Sequence, residues 1–189
     1  LGIHTMQLTP REALHSLRPT DVALARLEVL ETCDGIEEGM RELEKLAAAG
    51  VLVLNPPAAL ACTHDKLLTS RALRRAGLPH PHTWLIADGI PTPVPELPIV
   101  LKRRHGGGET LCRTHADVEA ATRRLYAADG VLAQELVLPH SARARLVIAG
   151  GRVIDGNAPT TRSARTLAIL AADAVHADLA GVDLLPTRT

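Results

Sequence analysis

The chain has 189 residues, with 21 Lys and Arg against 21 Asp and Glu, and its basic residues are scattered rather than run together. That length suits one compact unit or two small lobes, and the balanced charge leaves no footprint for nucleic acid or an anionic membrane surface, so a small-molecule or protein partner is expected. No stretch approaches the roughly 18 apolar residues that span a bilayer, no charged start precedes an apolar core, and Cys33, Cys62 and Cys112 form neither a disulfide framework nor a metal knuckle, so a soluble cytoplasmic protein with reduced thiols is expected.

With no Phe, one Trp and one Tyr, the core must come from Leu, Val, Ile and Ala. Between Asp34 and Gly50, Ile36, Met40, Leu43 and Leu46 recur at helical spacing, with Asp34-x-x-Glu37 as the cap and Gly50 as the stop. Val51-Leu52-Val53-Leu54 is a continuous apolar run, as in a strand covered on both faces of a parallel sheet. A second helix is expected from Thr63, with Asp65 in its first turn and Gly77 at its end, which puts Lys66 near a helix start.

The proline-rich 89–98 segment reads as a connection before the strand Ile99-Val100-Leu101, which runs into Lys102 and then a loop carrying Gly106, Gly107 and Gly108. A third helix follows Thr114, with Val118, Ala121, Thr122 and Leu125 on one side, and 131–137 forms a strand. Residues 145–149 and 152–154 form a hairpin around Gly150-Gly151, making the sheet mixed. The last helix carries Leu167, Leu170, Ala171 and Ala174 on one face, and 179–185 returns as a strand.

Four segments stand in one order: His64-Asp65-Lys66-Leu67, Pro98-Ile99-Val100-Leu101-Lys102, Gln134-Glu135-Leu136-Val137 and Ala180-Gly181-Val182-Asp183-Leu184-Leu185. In this order, from about Asp21 to Leu185, they resemble the ATP-grasp ligases, and among them the RimK-like branch, whose members join an amino acid to a carboxylate. The resemblance implies an α/β (α+β) ATP-grasp fold: two small lobes with mixed sheets sandwich ATP, behind a short N-terminal α/β lobe. It divides the chain into 1–55, 56–130 and 131–189, the last incomplete at its C-terminal end. The implied reaction is ATP-dependent amide formation through an acyl phosphate, adding an amino acid, commonly glutamate, to a small-molecule, peptide or protein-tail acceptor. Family members often pair, which implies a homo-oligomer.

The resemblance gives Lys66 and Lys102 to the phosphates, Gly106 to Gly108 to a mobile cover, and Gln134 to Val137 to the adenine. Arg145 goes to the transferring phosphoryl group and Asp183 to one Mg²⁺ or Mn²⁺. These types suit the chemistry, because Lys and Arg hydrogen bonds to charged oxygens are worth about 1.5–3 kcal/mol each and glycine backbones approach phosphate closely.

The loop is not a Walker loop, since no Gly-Lys-Ser/Thr follows, and the esterase-like His105-Gly106-Gly107-Gly108 has no Gly-x-Ser-x-Gly partner. His80 and His82 flank Pro81 with no third metal ligand near in sequence. Three departures from the family pattern stand out. The chain ends at Thr189, before the Glu-x-Asn strand that completes the metal site; the 155–165 connection is short; and Arg143 stands where the family has an Asp, at the ribose. The natural protein is therefore expected to be longer, and a non-catalytic nucleotide-binding or assembly module is the alternative reading.

Overall fold

A side-chain capping box fixes where the first helix begins in the computed structural model, which describes residues 2–33, 35–86, 96–126 and 130–187. Thr9 accepts the Glu12 amide at 3.3 Å while the Glu12 carboxylate accepts the Thr9 amide at 2.8 Å, and Pro10 opens α1 (Pro10–Ser16). The next helix, α2 (Met40–Ala48), is shorter than its periodicity suggests. Glu37 accepts the Glu28 amide at 3.0 Å and Ile36 bridges to Val29, so this stretch pairs as an extended segment before the helix starts at Met40. Asp34, the other half of the expected cap, lies outside the described residues.

Strands β1 (Val22–Leu24) and β2 (Leu52–Leu54) pair in parallel, with Val22 opposite Leu52. Val53 packs inward with Leu27, Leu43 and Leu46. The outer face stays open, Val22 and Leu52 being 58% and 55% exposed, so the apolar run of β2 is not covered on both sides.

The helix expected from Thr63 begins at Lys66. Thr63 closes α3 (Pro57–His64), its hydroxyl donating to Ala59 O at 2.9 Å, whereas the Asp65 carboxylate reaches the amides of Leu67 and Leu68 at 2.9 and 3.1 Å and caps α4 (Lys66–Arg75). Gly77 ends the turn after α4 as anticipated, with the Leu78 amide returning to Leu73 O at 3.0 Å.

A four-stranded antiparallel sheet follows, ordered β3-β6-β4-β5, from β3 (Thr83–Ile86), β4 (Ile99–Arg103), β5 (Glu109–Cys112) and β6 (Val131–Glu135). The connection expected at 89–98 lies mostly outside the described residues. Helix α5 (His115–Leu125), started by a Thr114–Asp117 capping box, presents Val118, Ala121 and Leu125 to Ile99, Leu101, Val131 and Ala133. Because strand side chains alternate, Val100, Lys102, Leu132 and Gln134 point away from that core. Since β6 lies between β3 and β4, this sheet runs across the boundary expected at 130/131.

The last sheet, β8-β7-β9, is also antiparallel: β7 (Ala144–Ala149), β8 (Arg152–Gly156) and β9 (Leu179–Leu184). Gly150 and Gly151, at φ 52° and 69°, supply the two left-handed residues of a tight hairpin turn. The mixed pairing anticipated is thus divided between sheets, parallel in β1–β2 and antiparallel in the other two. From β8 the chain passes through Asn157, whose amide donates to Arg145 O at 3.0 Å, to Thr161, which caps α6 (Arg162–Ala174). Helix α6 buries Ala168 and Ala172, while Leu170 is 46% exposed. The buried face is therefore turned from the one expected, because Leu146 and Ile148 beneath it fill the space and small residues fit against them.

Asn55 ties the first sheet to the last. Its side chain donates to Leu179 O at 2.8 Å and accepts the Leu179 amide at 2.7 Å, so one amide side chain imitates a strand partner across 124 positions of sequence. Asn55→Ala is expected to cost about 1 kcal/mol in urea unfolding, and Asn55→Asp more, since a carboxylate would face the Leu179 carbonyl without a proton to donate.

Candidate active site

Lys66 and Lys102 come from different elements yet line one cavity of about 240 Å³, between α4 and the outer face of β3-β6-β4. Lys66 arrives because the Asp65 cap starts α4 there, and Lys102 because it falls on the outward phase of β4, opposite Leu132. Thr83, Leu132 and Gln134 complete the sheet side, and Gln134 Nε2 donates to Thr83 Oγ1 at 3.0 Å. The cavity is apolar at Leu73 and Leu132 and cationic at its two lysines. Burial pushes the Lys66 ammonium below its ordinary value of 10.5, and the neighbouring Lys102 charge pushes the same way; Cys33, Asp65 and Glu109 oppose it. An anion would relieve that penalty. The Glu109 carboxylate lies 3.6 Å from the Lys102 ammonium and is itself 71% exposed.

The glycine loop is fastened to the same helix start. Lys66 Nζ donates to Gly106 O at 2.5 Å, and the Lys66 amide donates to Arg104 O at 3.1 Å. Asp65 Oδ2 accepts both Arg104 Nε at 2.9 Å and Arg104 Nη2 at 2.6 Å, with His105 Nε2 at 3.9 Å. Burial alone would raise the Asp65 pKa, but hydrogen bonds from Arg104, Leu68 and Leu67 and the Arg104 charge outweigh it and hold the carboxyl below its ordinary 3.8. Gly106, at φ +62°, sits against the turn at Cys33; a Cβ there would lie 2.8 Å from Cys33 Sγ, so only glycine lets the loop approach. Sequence reasoning placed Asp65 in a helix turn and missed it as the joint between Lys66 and the loop; its signal was a carboxylate immediately before the lysine.

Of the segment expected beside adenine, Gln134 faces the cavity. Glu135 instead grips the link before β3: its amide donates to His82 O at 2.9 Å and its carboxylate accepts the His82 amide at 3.2 Å. Leu136 and Val137 follow the last ladder pair, Ile99 with Glu135, and are half-buried. The two histidines diverge. His80 lines the cavity with Nδ1 3.0 Å from Leu78 O, while the His82 ring stacks on Trp84 with centroids 4.3 Å apart.

Arg145 and Asp183 are direct partners across β7 and β9, and Asp183 Oδ2 lies 3.4 Å from Arg145 Nη1 and 3.6 Å from Arg143 Nη1. The Arg145 guanidinium lies over Gly181, where a Cβ would stand 2.6 Å from Nη2. No hydrogen bond or ion pair among the described residues joins this cluster to the lysine cavity, so the expected residues form two groups, one on each sheet. Among the described residues no three His, Cys, Asp or Glu side chains gather. Asp183 is a single carboxylate 3.4 and 3.6 Å from two largely exposed guanidinium groups, and since Mg²⁺ usually takes one or two protein carboxylates together with phosphate oxygens, it could supply one ligand beside a bound nucleotide.

No protein-family model matches the chain. Its fold is similar to several solved structures. A RimK domain ATP-grasp protein from Sphaerobacter thermophilus matches at a TM-score of 0.68 and 23% identity, covering 91% of this chain and 72% of that one. The N5-carboxyaminoimidazole ribonucleotide synthetase of Thermotoga maritima matches at 0.63 and 19% identity, over 78% of this chain but 44% of the enzyme. The ATP-grasp ligase PsnB, in complex with a minimal precursor, Mg and ADP, matches at 0.59 and 21% identity, over 78% and 53%. The chain thus spans about half the length of two of these three proteins. No helix among the described residues is long and apolar enough to cross a membrane.

Proposed function

Given its ATP-grasp fold, we propose that the chain is the nucleotide-binding part of an ATP-dependent carboxylate–amine ligase. The observation that carries this reading is that Lys66 and Lys102 line one cavity while the Lys66 ammonium also holds the glycine loop through Gly106 O. A cavity of about 240 Å³ is below the roughly 300–1,000 Å³ of pockets that enclose drug-sized ligands, so it takes part of a nucleotide, and the phosphates extend toward the loop.

In this reaction a substrate carboxylate oxygen attacks the γ-phosphorus and ADP departs, leaving an acyl phosphate. An amine then attacks the acyl carbon, a C–N bond forms, and inorganic phosphate leaves with the bonding electrons of its C–O bond. The chain positions and neutralises, which is most of what phosphoryl transfer asks of a protein. Lys66 and Lys102 balance phosphate charge, Gln134 and the backbone at Glu135 to Val137 border the base, and Gly106 to Gly108 cover the phosphates and keep water from the acyl phosphate. Arg145, on the other sheet, meets charge developing on the transferred group. Asp183, beside Arg143 and Arg145, would hold one Mg²⁺ together with the phosphate oxygens, and the metal would supply further charge neutralisation there. The added amino acid is of the glutamate type, and the acceptor a small molecule, peptide or protein tail.

That arginine-held Asp183 favours a second reading, a nucleotide-binding or assembly module without catalysis. ADP release discriminates them. A ligase releases ADP only when a suitable carboxylate and amino acid are both supplied from a panel; ATP binding with no ADP release across the panel, in protein of full natural length, overturns the ligase reading and leaves the module.

A further inference from the structure

Two of the contacts that hold the loop carrying Gly106 are of very different character. At its base, the Arg104 guanidinium makes a two-pronged contact with the Asp65 carboxylate, at 2.6 and 2.9 Å, and Asp65 is 5% and Arg104 24% exposed in its side chain. Such forked pairs fix direction as well as distance, which a single ammonium contact does not. The same Asp65 caps α4, so the base of the loop and the start of the lysine helix share one carboxylate. A backbone bond from the Lys66 amide to Arg104 O runs beside it.

Further along, Lys66 Nζ donates to Gly106 O, before the Arg103 amide meets Gly108 O at 3.3 Å where the loop rejoins the sheet. A neutral carbonyl is a weaker partner for an ammonium than an oxygen of an anionic phosphate, so this contact is the exchangeable one. From the base the backbone passes through Gly106 at φ +62° and on to Gly108 at φ +104°, left-handed conformations that glycine adopts without strain.

We propose that Arg104 is the positioning residue of the glycine loop: clamped by Asp65, it roots the loop beside Lys66, so that a nucleotide phosphate takes the Lys66 ammonium from Gly106 O and the loop closes over it without losing register. The residue touches no reacting atom and acts through the loop. This inference rests on the nucleotide-binding reading above.

The test is calorimetric binding of ATP and of adenosine to the wild type, Arg104→Gln and Arg104→Lys, with the melting temperature of each. Adenosine reports the cavity and ATP the cavity plus the loop. Arg104→Gln is expected to weaken ATP about tenfold or more while adenosine binding is unchanged, and Arg104→Lys, which keeps the charge on Asp65 but not the fork, to fall between. A merely structural role would weaken both ligands together, and that result overturns the proposal, as does unchanged ATP affinity in Arg104→Gln. Should Arg104→Gln fail to fold, the lysine variant decides by the same comparison. A wild type that binds neither ligand defeats the nucleotide reading itself and this proposal with it, an outcome distinct from a wild type that binds both and a variant that matches it.

Discussion

Lys102→Met is expected to abolish the thermal stabilisation that ATP confers. Lys102 stands on the outward face of β4 and lines the cavity, its side chain 25% exposed, with the largely exposed Glu109 carboxylate 3.6 Å away. The folded state loses little by the change, because methionine keeps the stem packed beside Leu132 and an exposed ion pair of this kind is worth about 0–1 kcal/mol. The bound state loses a charge-assisted hydrogen bond worth about 1.5–3 kcal/mol, which corresponds to roughly 10–150-fold in affinity. Stabilisation by a ligand follows RT ln(1 + [L]/Kd): at tenfold excess over Kd the wild type gains about 1.4 kcal/mol, and a variant binding a hundredfold more weakly gains about 0.06 kcal/mol. Differential scanning fluorimetry at that ATP concentration separates the two. An ATP shift in Lys102→Met equal to that of the wild type would remove this lysine from the site.

Where an element's signal was local, the sequence carried it. Thr114 with Asp117 starts α5, the Gly150-Gly151 pair turns the hairpin, and Gly77 ends the second predicted helix, each through a backbone need that one or two residues meet. The same kind of signal was present and unread at Thr9-Pro10-x-Glu12, which opens α1. What could not be read locally was set by partners far away. The buried face of α6 follows from the size of Leu146 and Ile148 beneath it, and the open side of β2 from the absence of a covering layer among the described residues. The positions of the two lysines were legible, one near a capped helix start and one at the end of an apolar strand, while their roles came from the resemblance. Their relation to the loop was not, since it passes through Asp65 and Arg104, 39 positions apart, and nothing in either segment alone announces the other. Arg143 is the instructive case on the opposite sheet. Its departure from the resemblance was visible as a letter, but only the register of β7 with β9 shows that it shares Asp183 with Arg145.

The same Asp65 carries the largest expected loss of stability. Removing it in Asp65→Ala takes away the acceptor for two amides at the start of α4 and leaves the Arg104 guanidinium beside a methyl group in a site that is mostly closed to water. Loss of a cap costs about 1 kcal/mol and breaking a buried pair from one side about 3–5 kcal/mol; because Arg104 is 24% exposed and can turn toward solvent, a total on the order of 3 kcal/mol is expected in urea unfolding. Asp65→Asn, which keeps an acceptor for the amides but not the charge, should lose less. The pH dependence has a definite sign. The folded carboxyl titrates below its ordinary 3.8, so the unfolded chain binds the proton more readily, and the stability Asp65 supplies is complete above that ordinary value and is lost as pH falls through the lower folded value. The wild type should therefore lose stability on acidification through and below 3.8 more steeply than Asp65→Asn, which has no charge to lose there. Parallel acid-unfolding curves for the two proteins would show that the carboxylate is not held by Arg104, and would leave the helix cap as its only role.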